Sequence, residues 1–244
     1  MKVKVLTSQE LEKEFLHKIV NRWKQTESKI FNAVQKIITD VRNEGDSALI
    51  RYTREFDDAN FGHSKLKVSN EDVQKAYSKL RKREIEALKR AAESITRFHG
   101  KQIEKEWFFE TSDGVIVGQT TRSLSSVGVY APGGKATYPS SVLMCTIPAK
   151  VAGVERVAVC SPPSLSGDVH PAIFVAADIG GATEIYRVGG AQAIAALAYG
   201  TETIPKVDKI IGPGNVYVTA TKLLVRWDVA IDLPAGPTEI LIIA

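Results

Sequence analysis

The sequence predicts an α/β protein in which a polar, helical region precedes a parallel sheet covered by helices on both faces. Two observations predict it. From Ser126 onward, short β-rich runs alternate with apolar helical stretches, and strands this short and uniformly apolar belong to parallel sheets buried on both sides. The junctions after those strands are also rich in glycine and proline, at the edge where open parallel sheets bind their ligands.

The elements follow in order. Between Ser28 and Phe56 the apolar residues Ile30, Phe31, Val34, Ile37, Ile38, Val41, Leu49, Ile50 and Tyr52 recur mostly at helical spacing. The segment Asn43-Glu-Gly-Asp46 divides this stretch into two helices, with Asp46 as the expected N-cap of the second. A long helix is expected from Ser69 to Gly100. Ser69 or Asn70 caps it, Val73, Ala76, Tyr77, Leu80, Ile85, Leu88 and Ile95 form its buried stripe, and Gly100 ends it. Two strand signals, Glu106 to Thr111 and Val115 to Thr121, flank the turn sequence Ser112-Asp-Gly114.

Beyond Ser126 the strand Val127–Tyr130 leads to a helix through Val142 to Val151. Arg156–Cys160 leads to Ala172 through Ile179, Glu184–Val188 to Ala191 through Tyr199, and Lys209–Ile211 to Val216 through Val225. Ala230 to Leu233 and Ile240 to Ile243 read as closing strands.

Composition narrows the function. With 44% hydrophobic and 25% charged residues in 244, the chain is an ordinary globular protein able to bury a core. The net charge of +4 is spread along it and gives no nucleic-acid footprint. Lys79 to Arg83, Lys89, Arg90 and Arg97 make one helix face basic, but Glu84, Glu86 and Glu93 are interspersed, as on a solvated face. Cys145 and Cys160 lie in apolar runs without a CxxC pair, so both read as reduced, buried thiols of a cytoplasmic protein. Met1 to Val5 opens no apolar signal segment, and no apolar run is long enough to span a membrane.

The chemistry is expected at the strand ends. These read Tyr130-Ala-Pro-Gly-Gly134, Val188-Gly-Gly-Ala-Gln192, Ile211-Gly-Pro-Gly-Asn215 and Asp232-Leu-Pro-Ala-Gly-Pro-Thr-Glu239. A single glycine-rich turn answers to tight geometry alone, whereas four at one end of a sheet point to a ligand approaching the backbone and the helix N-termini. Gly133, Gly190 and Gly214 are expected to share one rim. Neither G-x-G-x-x-G nor a Walker A loop is present, so the polar side chains beside the glycines carry the recognition: Tyr130, Gln192, Asn215 and Thr238. Tyr130 could stack on a flat ring, and Gln192 and Asn215 could hydrogen-bond a carboxamide, ribose or phosphate. Helix capping fits Asn215 equally well.

Together these motifs resemble the histidinol dehydrogenase family. The matching text is Val129-Tyr-Ala-Pro-Gly-Gly-Lys135, Tyr138-Pro-Ser-Ser-Val-Leu-Met144, Val151-Ala-Gly153, Cys160-Ser-Pro-Pro163, Val188 to Gly200, Val207 to Asn215 and Ile231 to Glu239. Gly45-Asp-Ser-Ala-Leu49 and Tyr52-Thr-Arg-Glu-Phe-Asp57 agree more loosely. The resemblance implies an NAD-dependent, zinc-containing enzyme of histidine biosynthesis that oxidises L-histidinol to L-histidine through an aldehyde, in two hydride transfers.

By that resemblance Tyr130, Gln192 and Asn215 contact NAD, and Thr238 stands where the family usually has a substrate-contacting serine. Threonine keeps the hydroxyl but adds a methyl group and a stiffer χ1. The family's zinc ligands and its catalytic glutamate–histidine pair fall after the position of Ala244, so no catalytic residue and no metal ligand is carried over. His17, His63, His99 and His170 match no ligand position.

The implied fold is an incomplete Rossmann-like domain over residues 126–237. Residues 1–125 would form the first half of a host α/β domain, and residues 238–244 its returning strand. An apolar edge strand of that kind pairs readily with another chain, and the family's homodimers point the same way. The chain is thus expected to be an N-terminal portion of the enzyme, inactive alone, with a non-catalytic dinucleotide-binding module or partner subunit as the alternative.

Overall fold

The computed structural model describes residues 27–58, 60–133, 137–164 and 168–234. Thr238, the expected strand at 238–244 and His17 lie outside the described residues.

Helix α1 (Glu27–Glu44) passes directly into α2 (Asp46–Phe56). Here the expected cap is corrected: Gly45 occupies the N-cap, and Asp46 is the first helical residue. The cap comes from a distant part of the chain, where Glu202 Oε2 accepts the Asp46 backbone N–H at 2.7 Å. The buried Asp46 carboxylate accepts from the hydroxyl and backbone N–H of Thr203 and pairs with His63 Nε2 at 2.9 Å. Burial by itself would raise this carboxyl's pKa, but the bonds from Thr203, Thr201 and His63 outweigh it and leave the pKa lowered.

The long helix expected after Ser69 is two helices, α3 (Asn70–Lys79) and α4 (Lys82–His99). Ser69 does cap the first, through a reciprocal pair with Asp72 at 3.1 Å each way. Leu80 and Arg81 are extended, and Glu84 reaches back to the Arg81 N–H at 2.9 Å, starting the second helix afresh. The break lets the two segments pack on different partners, as described below. Strands β1 (Trp107–Glu110) and β2 (Ile116–Gln119) form the expected hairpin, paired antiparallel from Trp107–Gln119 to Glu110–Ile116.

The main sheet contains β3 (Ser126–Tyr130), β4 (Arg156–Ser161), β5 (Glu184–Arg187), β6 (Lys209–Ile211) and β7 (Ala230–Ile231). All adjacent pairs are parallel, in the order β5-β4-β3-β6-β7. The final strand is two residues shorter than the expected 230–233. The crossover helices are α5 (Pro139–Val151), α6 (Pro171–Ile179), α7 (Gly190–Tyr199) and α8 (Val216–Val225).

Strand residues alternate strictly between two cores, as a pleated sheet buried on both faces requires. Val127, Val129, Val157, Val159 and Ile185 join the core beneath α5 and α6, whereas Tyr130, Ala158, Cys160, Tyr186 and Ile210 join the core beneath α7 and α8. The amino-terminal helices complete both layers: α1 packs on α7 and α8, α3 on α6, and α4 on α5. Helix α4 keeps its basic residues at the surface, as expected of a solvated face. Cys160 is fully buried, but Cys145 is only partly so, which corrects the expectation of two buried thiols. Burial raises the pKa of both thiols, that of Cys145 to about 11.

Candidate functional site

The strand order places a topological switch between β3 and β6. The chain runs outward from β3 through β4 to β5, then crosses back to the other side of β3. Helices leaving two adjacent strand ends in opposite senses open a crevice there. Because every strand of the main sheet is parallel, the described turns after β3, β5 and β6 lie at this one edge. A cavity of about 500 Å³ occupies it, between α1, the end of α2 and the amino-termini of α7 and α8. Tyr130, Gln192 and Asn215 all line it, together with Gly133 and Gly190, and Gly214 directly precedes Asn215.

Gln192 is the most informative of these side chains. It is the sole hydrogen-bonding amide on α7, a helix otherwise of alanine, leucine, isoleucine, glycine and a terminal tyrosine. It is 1% exposed, and neither Oε1 nor Nε2 has a hydrogen-bond partner. A buried amide left unpaired costs roughly 1–3 kcal/mol, which a structural role alone does not repay. Gly190 makes room for it. Its φ of +63° favours glycine, and a Cβ there would stand 2.6 Å from Gln192 Oε1.

Tyr130 closes the floor. Its hydroxyl accepts the Gly190 N–H at 3.2 Å, tying the end of β3 to the start of α7. At 4% exposure its ring is enclosed by the core, so it forms a fixed wall rather than the stacking platform considered from the sequence. Burial raises its pKa to about 12, against the opposing pull of the Gly190 bond, and the phenol stays neutral.

Asn215 caps a helix, as one of its two readings expects, and it also lines the cavity. Its Oδ1 caps α8 by accepting the Tyr217 and Val218 N–H groups at 3.0 and 3.1 Å. An amide whose oxygen is so engaged still presents its NH₂ donors, and Asn215 lies on the cavity wall.

The turn carrying Asn215 is held from beneath. Lys222, 3% exposed, donates to Gly212 O at 2.9 Å and pairs with Asp232, whose Oδ2 accepts the Gly212 N–H at 2.7 Å. Gly212 has φ +117°, and any Cβ on it would overlap the Tyr130 carbonyl oxygen. The ends of β3 and β6 can therefore meet only through glycine.

Sequence reasoning missed one wall residue. Asp57, just past α2, lines the same cavity, and burial raises its carboxyl pKa to about 6. It appeared in the sequence only as the end of a loosely matching motif, and no local signal marks a helix-end aspartate as facing a sheet edge far along the chain.

Metal chemistry finds no such support. Among the described residues, no group of three or more histidine, cysteine, aspartate or glutamate side chains is placed to hold a metal ion. His63 pairs with Asp46, His99 contacts Gln102 at 2.6 Å, and His170 caps α6 through the Ala172 N–H.

Comparisons with known proteins add an independent finding. A family model described as histidinol dehydrogenase matches residues 20–244. The chain is 51% identical to a histidinol dehydrogenase of Methanocaldococcus jannaschii over 96% of its own length and 54% of that protein. It is 50% identical to one from Methanosarcina barkeri, over 94% and 52% respectively. A crystal structure of histidinol dehydrogenase from Elizabethkingia anophelis superposes with a TM-score of 0.81 at 43% identity, covering 85% of this chain and 48% of that one. The chain spans about half the length of the curated relatives it matches.

Proposed function

Since this chain belongs to the histidinol dehydrogenase family, we propose that the cavity at its sheet edge binds NAD and forms the cofactor half of an L-histidinol-oxidising site. The observation that carries this reading is Gln192, an unpaired amide inside the crevice at the switch point. A glutamine side chain offers both a donor and an acceptor, which is what a nicotinamide carboxamide or a ribose diol needs. Asn215 contributes its NH₂ donors, Tyr130 fixes the wall, and the glycine turns let the ligand reach the amino-termini of α7 and α8. NAD bound there supplies a hydride acceptor for two successive oxidations, of alcohol and then of aldehyde, yielding L-histidine.

The residues of this chain position the cofactor and exclude water from it; the proton-transferring groups are not among those described. Thr238 is the proposed substrate contact. Zinc belongs to the proposed complete enzyme; among the described residues no group of three or more histidine, cysteine or carboxylate side chains is placed to hold it. The proposed organisation assigns residues 126–237 to the NAD-binding domain, with 1–125 and 238–244 as parts of the host. A cytoplasmic homodimer completes the proposal.

The test is calorimetric titration of the chain with NAD, paired with an assay for NADH formation from L-histidinol in the presence of zinc. Binding without turnover is the expected outcome. Turnover would refute the proposed inactivity of this chain, and the absence of binding would refute the cofactor site.

A further inference from the structure

A second cavity adjoins the first. It measures about 420 Å³ and shares Gly133 and Pro162 with its neighbour, but it opens on the opposite face of the sheet, between the end of α3 and the start of α6. The two therefore adjoin as lobes across the ends of β3 and β4, with Gly133 against Pro162 between them. We propose that this second lobe takes a phosphate group, extending the binding site beyond the crevice that holds Gln192. The inference rests on the reading of the first lobe as a dinucleotide site.

Three observations carry it. Ser161, the last residue of β4, lines the second lobe, is 1% exposed, and its Oγ has no hydrogen-bond partner. Strand alternation places it on the face of Val157 and Val159, the face on which this lobe opens. It repeats, on the other side of the sheet, the unpaired buried group that Gln192 provides on the first side.

The groups around Ser161 supply hydrogen-bond donors suited to phosphate oxygens. Lys79 stands at the rim with an exposed side chain, and Thr137 offers a second hydroxyl. His170 accepts the Ala172 N–H through Nδ1, which leaves its Nε2–H as a donor. The carboxylate in the lobe, Asp168, pairs with the buried Arg187 at 2.8 Å, and Arg187 also pairs with Asp72 at 3.0 Å, so Lys79 brings this cluster to charge balance and the lobe binds through its donors rather than a net charge. Helix α6 contributes little to this: its first residue is Pro171, and the Ala172 N–H is taken by His170. Side chains, not a helix dipole, make this lobe attractive to phosphate.

The phosphate could belong to the dinucleotide already seated in the first lobe or to a separate ion. Titrations of NAD, AMP and inorganic pyrophosphate into wild type, Ser161→Ala, Lys79→Gln and Gln192→Leu distinguish the two. Ser161→Ala removes an unpaired hydroxyl from a buried position, so its melting temperature should be unchanged or higher, which guards against simple misfolding.

If the groove is continuous, Ser161→Ala and Lys79→Gln each weaken NAD about 5–10-fold, the scale of one lost hydrogen bond or charge contact. Lys79→Gln also flattens the salt dependence. Pyrophosphate bound by wild type and lost in both variants, with NAD affinity unchanged, would show a separate anion site and overturn the continuous groove. Unchanged binding of all three ligands in these two variants, with NAD lost only in Gln192→Leu, would overturn the second lobe and leave the first standing. Failure of wild type to bind NAD would refute the first reading; the lobe would then survive only as a pyrophosphate site sensitive to Ser161.

Discussion

Replacing Gln192 with leucine separates a binding role from a structural one, because the two predict opposite changes in stability. In the folded chain both polar atoms of Gln192 are buried without partners. Each such group costs roughly 1–3 kcal/mol, whereas leucine is apolar, of similar size and a better helix former. Gln192→Leu should therefore stabilise the free protein by about 1–2 kcal/mol after allowing for imperfect fit against Gly190. For a domain of this size that corresponds to a rise of roughly 2–8 °C in melting temperature. The same change should abolish the response to NAD. Wild type held at a hundredfold excess over Kd gains about 2.7 kcal/mol from its ligand, and the variant should gain none. Thermal unfolding followed by circular dichroism, with and without NAD, reads both quantities. A variant that is less stable than wild type by 1 kcal/mol or more would show that the amide has a structural partner after all. A variant that is stabilised by NAD as strongly as wild type would remove Gln192 from the site.

Three further outcomes follow from the same geometry. Gly212→Ala forces a side chain onto φ +117° and into the Tyr130 carbonyl, so it should cost about 3 kcal/mol or more and lower soluble yield, read by urea unfolding. The Asp57 pKa, raised to about 6 by burial, means that folding favours its protonated form. The stability this confers is fully present below about pH 4, the unfolded value, and is lost as pH rises through 6. Asp57→Asn should thus match wild type at acid pH and exceed it at pH 8, and equal stabilities at pH 8 would contradict the assignment. Light scattering should find the proposed homodimer; a monodisperse monomer would contradict it.

The parallel sheet was legible because its signal is local and redundant. Each strand from Val127 to Ile211 is a short apolar run closed by a turn opening with glycine or proline residues, and burial on both faces leaves little else for such runs to do. Tyr130, Gln192 and Asn215 were legible for the related reason that polar residues beside those turns must meet at one edge once the sheet is parallel. Features that depend on distant partners were not. Glu202 caps α2 from 156 residues away, so the local rule that made Asp46 the cap gave the wrong residue. The break at Leu80–Arg81 reflects which helices α3 and α4 must cover, not a proline or glycine. Asp57 reaches the groove only because α2 packs against α7, and no spacing rule brings it there.

The most direct test is a crystal structure of the chain grown with NAD. Ligand density should lie against Gln192 and Asn215, between the amino-termini of α7 and α8, with the Gln192 amide within 3.2 Å of a polar ligand atom. Density at the amino-terminal edge of the sheet, or an occupied crevice in which Gln192 remains unpaired, would contradict the cofactor site.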